Sequence, residues 1–488
     1  MTNLSKYHHL AWLLLVPPIY IFLFVKLGVP HIRLWDEGWF TVHAIEMWQN
    51  GSWFVSYFNG EPSFISSKPP LQTWLQITSL QFFGISELTL RLPSAIASAM
   101  SVLLIYSFGK RNYTTEFGLV SAAVLLTSIG FIGFHTSRGA EADALLTLTL
   151  IIQAFTFFEF LQSKKWKWMV GFAIALVASF WTKSVAGFLM LPGYLIYALI
   201  FDSSSITLLA KSWQFYVLLV AMLVFIAGYV VIRETNQPGY ISMFFKSNIG
   251  RYTKSVGHSH SFSYYLNNML RGRYTWWFAL FVLGVVMVFM QDARANSLVA
   301  FTAICAVSYL LVISISKSKL DWYDMPFYPM ASIPVAFTIK TLLKNFMSRT
   351  RQVLLVAVLI LPTYHMFSHT QAMALNDGEM NFESQEIFLN RAYNRGDDMN
   401  NVIIIHDHFQ GALIFYRHKF QTRNQALVLQ NQVHGLSVGD KVLVRNEAHK
   451  KEIINAYHLK QLDAYKTAVL FSIEGKKTYN HIERKSNE

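Results

Sequence analysis

Residues 138–162 read RGAEADALLTLTLIIQAFTFFEFLQ, and this stretch decides the fold. A charge-dense turn leads into a long, almost uncharged run, and about 20 such residues cross the hydrocarbon core of a bilayer. Comparable runs recur along the chain and predict about eleven spans, at residues 10–29, 91–109, 117–135, 143–162, 167–182, 185–202, 213–232, 275–291, 297–315, 325–344 and 352–368. The pattern indicates a mainly α, polytopic membrane protein.

The composition supports this interpretation. Of the 488 residues, 53% are hydrophobic and 14% are charged, whereas soluble domains carry about 25% charged residues. The net charge of +13 is not read as a nucleic-acid signal, because many lysines and arginines lie in short loops between spans. Cys305 is the single cysteine, which excludes a disulfide framework and a cysteine-based metal site.

The loop charges also predict an orientation, since lysine and arginine accumulate on the cytoplasmic side of short loops. With the N-terminus inside and the first span retained as a signal anchor, the cytoplasmic loops hold Lys110, Arg111, Lys164, Lys165, Lys167, Lys211, Arg294, Lys340, Lys344, Arg349 and Arg351. Residues 30–90, residues 233–274 and the segment after residue 368 then lie outside. We therefore expect an inner (plasma) membrane protein whose active site faces the periplasm or extracytoplasmic space.

Two domains are predicted on this basis. Residues 1–368 form the membrane domain, in which the aromatic-rich outer loop 30–90 is expected to carry interfacial helices. Residues 369–488 are more polar and form a small soluble α/β domain on the outer side. Its apolar runs predict strands between helical stretches, at residues 402–405, 412–416, 426–429 and 441–444.

Two polar clusters follow within the first outer loop. Asp36 and Glu37 come directly after the first span, and a carboxylate there can act as a general base toward an acceptor hydroxyl or amine. The alternative is a solvated pair that marks the end of a span. Lys68 precedes Pro69 and Pro70, which fix a cation suited to a phosphate. The alternative there is a snorkelling anchor.

Three more clusters are predicted on the same face. Arg138 to Asp143 is a turn of ionisable groups, either functional or an internal Arg138–Asp143 ion pair. Lys317 and Lys319, with Tyr323 nearby, place positive charge outside and call for an anion, either a phosphate headgroup or anionic lipid.

The last cluster includes Arg251, His258 and His260. The two histidines are a weak metal signal, and a polar loop closing over a substrate explains them equally well. A base at Asp36 beside the cations Lys68, Arg138 and Lys319 is what displacement of a phosphate leaving group requires.

These motifs resemble the GT-C class of polytopic glycosyltransferases, in the branch of the dolichyl-phosphate-mannose protein mannosyltransferases and the bacterial lipid A aminoarabinose transferase. The motifs that carry the resemblance are Trp35-Asp36-Glu37, Glu46-Met47, Lys68-Pro69-Pro70-Leu71 with Trp74, Arg91-Leu92-Pro93-Ser94, Ser137-Arg138 with Asp143-Ala144-Leu145-Leu146, Arg251-Tyr252, His258 with Tyr265, and Lys317-Ser318-Lys319-Leu320 with Tyr323 and Pro326. The resemblance covers most of the membrane part.

The resemblance implies an undecaprenyl or similar polyprenyl phosphate sugar as donor, inversion at the anomeric carbon, and Asp36 as the base. The predicted catalytic residues are Asp36, Glu37 and Asp143. The predicted substrate-binding residues are Lys68, Arg138, Arg251, His258, Lys317, Lys319 and Tyr323. The expected acceptor is an envelope lipid, glycan or protein, and membrane lipids are further partners.

No cofactor is predicted, and no metal ligand is assigned. A divalent metal is kept as an alternative because His258 resembles a metal ligand of the family. Two departures from the family pattern argue against a metal and against the aminoarabinose specificity. Ser67 replaces an acidic residue before Lys68, and Trp39 replaces an arginine shortly after the Asp36-Glu37 pair.

The sequence thus predicts a glycosyltransferase that uses a lipid-phosphate-linked sugar at the outer face of the membrane. The alternative is a polytopic transporter or flippase of lipid-linked substrates, although neither paired inverted repeats nor matched helix interruptions are evident. A non-catalytic scaffold in envelope assembly is the third class.

Overall fold

The structure is a computed structural model that describes residues 5–64, 68–133, 135–248, 250, 258–344, 346–375, 381–407 and 409–477. An irregular helical segment comes first, made of Ser5–Leu15, Val16–Ile19 and Tyr20–Phe24. The helices of the membrane part are α1 (Asp36–Gln49), α2 (Leu71–Phe83), α3 (Glu87–Asn112), α4 (Thr115–Leu126), α5 (Asp143–Ser163), α6 (Trp166–Lys183), α7 (Leu191–Phe201), α8 (Ser203–Lys211), α9 (Trp213–Asn236), α10 (Tyr240–Asn248), α11 (Tyr264–Asn268), α12 (Thr275–Met290), α13 (Ser297–Ile315), α14 (Phe327–Leu343) and α15 (Ser348–Leu375).

Within the described ranges, six helices are long and apolar enough to cross a membrane. They are Glu87–Asn112, Asp143–Ser163, Trp166–Phe188, Trp213–Asn236, Ser297–Ile315 and Ser348–Met373. Helices α7 and α8 meet at a bend of 109° and together make a broken span or a re-entrant loop. Shorter apolar helices cover Leu10–Phe24, Thr115–Leu126, Thr275–Met290 and Phe327–Leu343. The predicted polytopic, mainly helical class is confirmed, while the exact number of spans stays a prediction.

Local sequence signals explain how the central helices begin and pack. Ser86 caps α3 by accepting the backbone N–H of Thr89 at 3.2 Å, and Thr114 caps α4 by accepting that of Phe117 at 3.1 Å. Gly118 lets α4 approach α3 closely, because a Cβ at this position would lie 2.4 Å from the carbonyl oxygen of Tyr106. Helices α3, α4, α5 and α14 thereby share one apolar core.

The first outer loop holds the two helices α1 and α2, joined through a hairpin of β1 (Tyr57–Phe58) and β2 (Glu61–Pro62). Helix α1 is buried on most of its sides from Glu37 to Met47. The reason is that the C-terminal region packs over it: a Cβ at Gly38 would lie 2.9 Å from the backbone nitrogen of Ala412. The loop is therefore a structural layer between the membrane helices and the C-terminal region.

The C-terminal region contains a five-stranded sheet and three helices. The strands are β3 (Val402–Ile405), β4 (Leu427–Gln430), β5 (Lys441–Val444), β6 (Tyr457–Tyr465) and β7 (Ala468–Lys476), and the helices are α16 (Ser384–Arg395), α17 (Gly411–Gln421) and α18 (Glu447–Ala456). The strand order is β4-β3-β5-β7-β6. Strand β3 is parallel to both β4 and β5, and β7 is antiparallel to both β5 and β6.

Sequence reasoning predicted these strands only in part. The runs at 402–405, 426–429 and 441–444 are strands, with a shift of one residue for β4. The strand predicted at 412–416 is wrong, because these residues belong to helix α17. Ala412 to Tyr416 are all buried between α1 and the sheet, and a short, fully buried apolar run has no periodicity that separates a strand from a helix.

Three buried acid–base contacts fasten the C-terminal region to the membrane part. Lys419 donates to both carboxylate oxygens of Glu87 at 2.7 and 2.6 Å. His418 Nε2 lies 3.1 Å from Glu46 Oε1, and His31 Nε2 lies 3.2 Å from a Glu383 carboxylate oxygen. Removing one partner of such a pair would leave a buried group uncompensated, so the region is held in one position over α1.

Candidate functional site

A cavity of about 180 Å³ lies where α1, α5 and α6 meet the segment that follows α13. Its lining combines charged groups with apolar side chains. The charged and polar members include Asp36, Lys68, Asp143, Lys183, Ser247, Asn248, Tyr309, Ser316, Ser318 and Tyr323, and the apolar members include Phe40, Leu146, Val185, Ala186, Leu189, Met243 and Ile313. A concave site with an apolar wall and a few convergent charges is the usual form of a small-molecule or lipid-binding site.

Asp36 and Lys68 face each other in this cavity. Lys68 Nζ lies 3.8 Å from Asp36 Oδ2, and each side chain keeps about a quarter of its surface exposed, at 22% and 24%. Lys68 also lies 4.7 Å from the centre of the Phe40 ring. Asp36 is the first residue of α1, where the positive end of the helix dipole favours a carboxylate. The structure thus brings together the predicted base and the predicted phosphate-binding cation.

A second ion pair lines the same cavity. Asp143, the first residue of α5, accepts a hydrogen bond from Lys183 Nζ at 2.5 Å. The same ammonium group lies 4.8 Å from the centre of the Tyr323 ring. Tyr309, on α13, donates to the backbone carbonyl of Tyr323 at 2.8 Å and holds that residue in place. Both predicted site residues, Asp143 and Tyr323, therefore line the cavity through contacts with Lys183.

Lys183 was not among the predicted site residues. The sequence does indicate a special role for Lys183, because a lysine at the outer end of the predicted span 167–182 opposes the positive-inside bias. Its partner was not evident, because Asp143 is 40 residues away in sequence and the two meet only when α5 packs against α6.

Glu37 lies outside the cavity, although it adjoins Asp36 in sequence. Its carboxylate accepts hydrogen bonds from Arg91 at 2.7 and 3.0 Å. It also accepts the backbone N–H groups of Arg33 and Ala140, at 2.9 and 3.1 Å. Burial alone would raise the pKa of Glu37, but Arg91 outweighs burial and holds that pKa below its ordinary value. Glu37 thus fixes the start of α1 against the 138–143 turn.

Arg138 is also engaged away from the cavity. Its guanidinium donates to the carbonyl oxygens of Phe22 and Val25 at 2.9 and 2.8 Å, at the end of the first helical segment. Burial, with a smaller effect from Arg91, lowers the pKa of Arg138 to about 10. The alternative Arg138–Asp143 ion pair does not form, since Asp143 pairs with Lys183.

The predicted cations after α13 are placed beside the cavity. Lys319 is buried, and its ammonium donates to the carbonyl of His260 at 3.2 Å and to that of Ser316. Its backbone N–H donates to the carbonyl of His258 at 3.0 Å. This contact joins the 258–260 stretch to the residues that follow α13. Lys317 and His258 are both exposed. Arg251 lies outside the described residues.

Partly exposed His135 pairs with buried Glu141 in the neighbourhood of Asp36. His135 Nδ1 lies 2.8 Å from Glu141 Oε1, and the imidazole stacks on Trp322 with ring centres 4.0 Å apart. Burial opposes a charged imidazole, but the Glu141 carboxylate outweighs it and raises the pKa of His135, with a smaller effect from Asp36. The 138–143 turn therefore supplies a second carboxylate, Glu141, in addition to Asp143.

The side chains present do not fit a metal. In the part of the chain that the structure describes, no three His, Cys, Asp or Glu side chains come together as a ligand group. His258 is exposed, and Ser67 lies outside the described residues. No step of the chemistry below is assigned to a metal.

The chain is similar in sequence to known glycosyltransferases. The family model for the dolichyl-phosphate-mannose-protein mannosyltransferases matches residues 67–230. The undecaprenyl phosphate-alpha-4-amino-4-deoxy-L-arabinose arabinosyl transferase of Aeromonas salmonicida is 26% identical over 67% of this chain and 60% of its own length. The chain is thus similar in sequence to glycosyltransferases of the GT-C class. The predicted resemblance to these glycosyltransferases and the predicted membrane class are thereby confirmed.

Solved structures agree with a GT-C fold. ArnT from Cupriavidus metallidurans, in the crystal structure bound to undecaprenyl phosphate, has a TM-score of 0.68 at 15% identity and covers 94% of this chain and 98% of that chain. The Archaeoglobus fulgidus oligosaccharyltransferase has a TM-score of 0.55 at 12% identity, over 88% of this chain and 65% of that chain. The chain spans about three fifths of the length of the curated aminoarabinose transferase that it matches.

Proposed function

We propose that this GT-C protein transfers a sugar from a polyprenyl phosphate carrier to an envelope acceptor at the outer face of the membrane. The observation that carries the proposal is that Asp36, Lys68 and the Asp143–Lys183 pair line one cavity. Its apolar wall, with Leu146 and Leu189 among its members, suits the first isoprene units of such a carrier.

The chemistry assigned to Asp36 is general-base catalysis. The acceptor oxygen or nitrogen attacks the anomeric carbon and forms the new glycosidic bond. The bond from that carbon to the phosphate oxygen breaks, its electron pair leaves with the polyprenyl phosphate, and the acceptor proton passes to Asp36. Attack from the side opposite the leaving phosphate inverts the anomeric centre.

Lys68 has two partners in succession under this proposal. The Lys68 ammonium lies 3.8 Å from the Asp36 carboxylate, and a nearby cation disfavours protonation of a carboxylate. A bound phosphate competes for the ammonium and forms a charge-assisted contact with it. The carboxylate then has less positive charge beside it and becomes a better base, so donor binding itself prepares Asp36.

Lys183 supplies the second positive charge. Its ammonium lies between the Asp143 carboxylate and the face of Tyr323. In this position it can stabilise negative charge on the departing phosphate oxygens while Asp143 fixes its direction. Asp143 is thus assigned a positioning role, and Asp36 the transfer of the proton.

The experiment that tests the proposal measures release of polyprenyl phosphate. The purified protein in nanodiscs is incubated with a panel of radiolabelled polyprenyl phosphate sugars, with and without envelope extract. Release that depends on both protein and extract supports a transferase. If every donor stays intact with a folded protein, the proposed function is wrong and a transporter of lipid-linked substrates becomes the better account.

A further inference from the structure

Trp35 has an unusual backbone conformation and an exposed indole, and the proposed transfer reaction assigns no role to either. It directly precedes Asp36, and its backbone has φ 66° and ψ −120°. An L-residue with a side chain adopts this conformation only at a cost, which persists where the surroundings enforce it, commonly at functional sites. The indole is 58% exposed, so burial of an apolar ring does not explain the conformation.

The C-terminal region supports the Trp35 ring from one side. The Phe409 ring stacks on the indole at 5.5 Å between centres, with only 7° between the ring planes. The Phe409 ring also contacts the Trp39 ring edge-on, with ring centres 4.7 Å apart, and stacks on the Phe58 ring, with ring centres 5.4 Å apart. The close contact of Gly38 with Ala412 keeps the C-terminal helix, and hence Phe409, in this place. One face of the indole is therefore covered and the exposed area lies opposite.

From these observations we propose that Trp35 is the acceptor platform and that the acceptor presents a sugar ring, which stacks on the open face of the indole. This inference rests on the proposed function and names its acceptor class. The C–H groups on one face of a pyranose carry slight positive charge and match the negative face of an aromatic ring. A ring held there places a hydroxyl group beside Asp36, while the donor occupies the cavity on the Phe40 side of α1.

Membrane anchoring is the competing role for an exposed tryptophan. Interfacial tryptophans anchor proteins at the level of the lipid headgroups, and Trp53 in the same loop is 52% exposed. Trp53, however, is not in the left-handed region of backbone conformation and packs edge-on against Trp74. Trp35 differs because it is fixed by a strained backbone and a stacked ring next to the base.

The test compares Trp35→Gly, Trp35→Leu and Trp35→Phe, with Trp53→Ala as the control for general loss of an exposed indole. We expect Trp35→Gly to raise the KM for acceptor about tenfold, with the KM for donor unchanged. Its unfolding temperature should not fall, because glycine adopts a positive φ without strain. Trp35→Leu, which keeps apolar bulk without a ring face, should behave like Trp35→Gly, and Trp35→Phe should retain most of the acceptor affinity.

Acceptor for these assays is whole envelope extract, and the radiolabelled product is separated into glycolipid, lipid-free glycan and protein fractions. Label in the glycan fraction, or in a glycolipid other than the unreacted donor, supports the proposal and identifies the source of the sugar ring. Label confined to protein that carries no other sugar overturns it, as does an unchanged KM for acceptor in Trp35→Gly and Trp35→Leu, or an equal effect of Trp53→Ala. Absence of label in every fraction with wild-type protein contradicts the transferase function itself.

Discussion

Lys183 Nζ lies 2.5 Å from Asp143 Oδ1, and the same ammonium lies 4.8 Å from the centre of the Tyr323 ring. Three residues from three separate segments thus meet around one positive charge at the wall of the cavity. The ammonium can be part of the packing between α5 and α6, part of the donor site, or both. A double substitution separates these roles.

Removing either charge of this pair alone should destabilise the protein. Lys183→Met leaves the Asp143 carboxylate buried without its cation, and such losses cost about 3–5 kcal/mol. Asp143→Asn combined with Lys183→Met removes both charges and should recover most of the unfolding temperature measured in detergent. Donor affinity should stay low in the double variant, because the phosphate has lost a cation. Recovery of both stability and donor affinity would limit Lys183 to a packing role.

Lys68→Met should weaken use of the donor. A charge-assisted contact with phosphate contributes about 1.5–3 kcal/mol, so the KM for donor should rise at least about tenfold. Lys246→Met is the matched control, since it removes the same charge from an exposed position on α10, outside the cavity lining. Equal donor kinetics in Lys68→Met and Lys246→Met would remove Lys68 from the phosphate site.

The C-terminal region should depend on the Glu87–Lys419 pair for its position. Lys419→Met leaves Glu87 buried and uncompensated, at a cost of about 3–5 kcal/mol, and should lower the unfolding temperature. Adding Glu87→Gln should restore part of that loss. Lys460→Met, an exposed lysine of the same region, serves as the control. No difference between Lys419→Met and Lys460→Met would show that the region is not fastened through this contact.

The orientation predicted from loop charges can be tested with cysteine labelling. Cys305 is fully buried and should not react, so single cysteines can be introduced without background. Ser437→Cys, on the exposed surface of the C-terminal region, should react with a membrane-impermeant maleimide in spheroplasts. Asn112→Cys, in a predicted cytoplasmic loop, should react only after permeabilisation. The reverse labelling pattern would invert the topology and place the active site inside.

The sequence predicts those site residues that are ionisable and also lie on the predicted outer side of the membrane. Asp36 and Lys68 stand out as ionisable groups on the outer side of apolar runs, and the structure brings them together. Glu37 could not be separated from Asp36 by position alone. Consecutive helical residues point about 100° apart, so only one of the two faces the cavity and the other meets Arg91. Which one does so depends on packing between distant segments.

Other features depend on partners that are distant in the sequence. Lys183 joins the site through a partner 40 residues away, and the buried run Ala412 to Tyr416 is helical although it has no periodicity that separates a helix from a strand. Phe409 looks like an ordinary loop aromatic in the sequence, yet it supports Trp35 across more than 370 residues of chain. Such relationships arise from tertiary packing, which overrides local preference.

The most direct test of the central claim is the rate of sugar transfer by Asp36→Asn, measured with donor binding in the same preparation. Glu61→Gln, an exposed carboxylate in the same outer loop, is the control for loss of one negative charge. General-base catalysis contributes about 10²–10⁴-fold. We therefore expect Asp36→Asn to bind the polyprenyl phosphate sugar while its transfer rate falls at least about 100-fold. Wild-type transfer by Asp36→Asn would contradict Asp36 as the base.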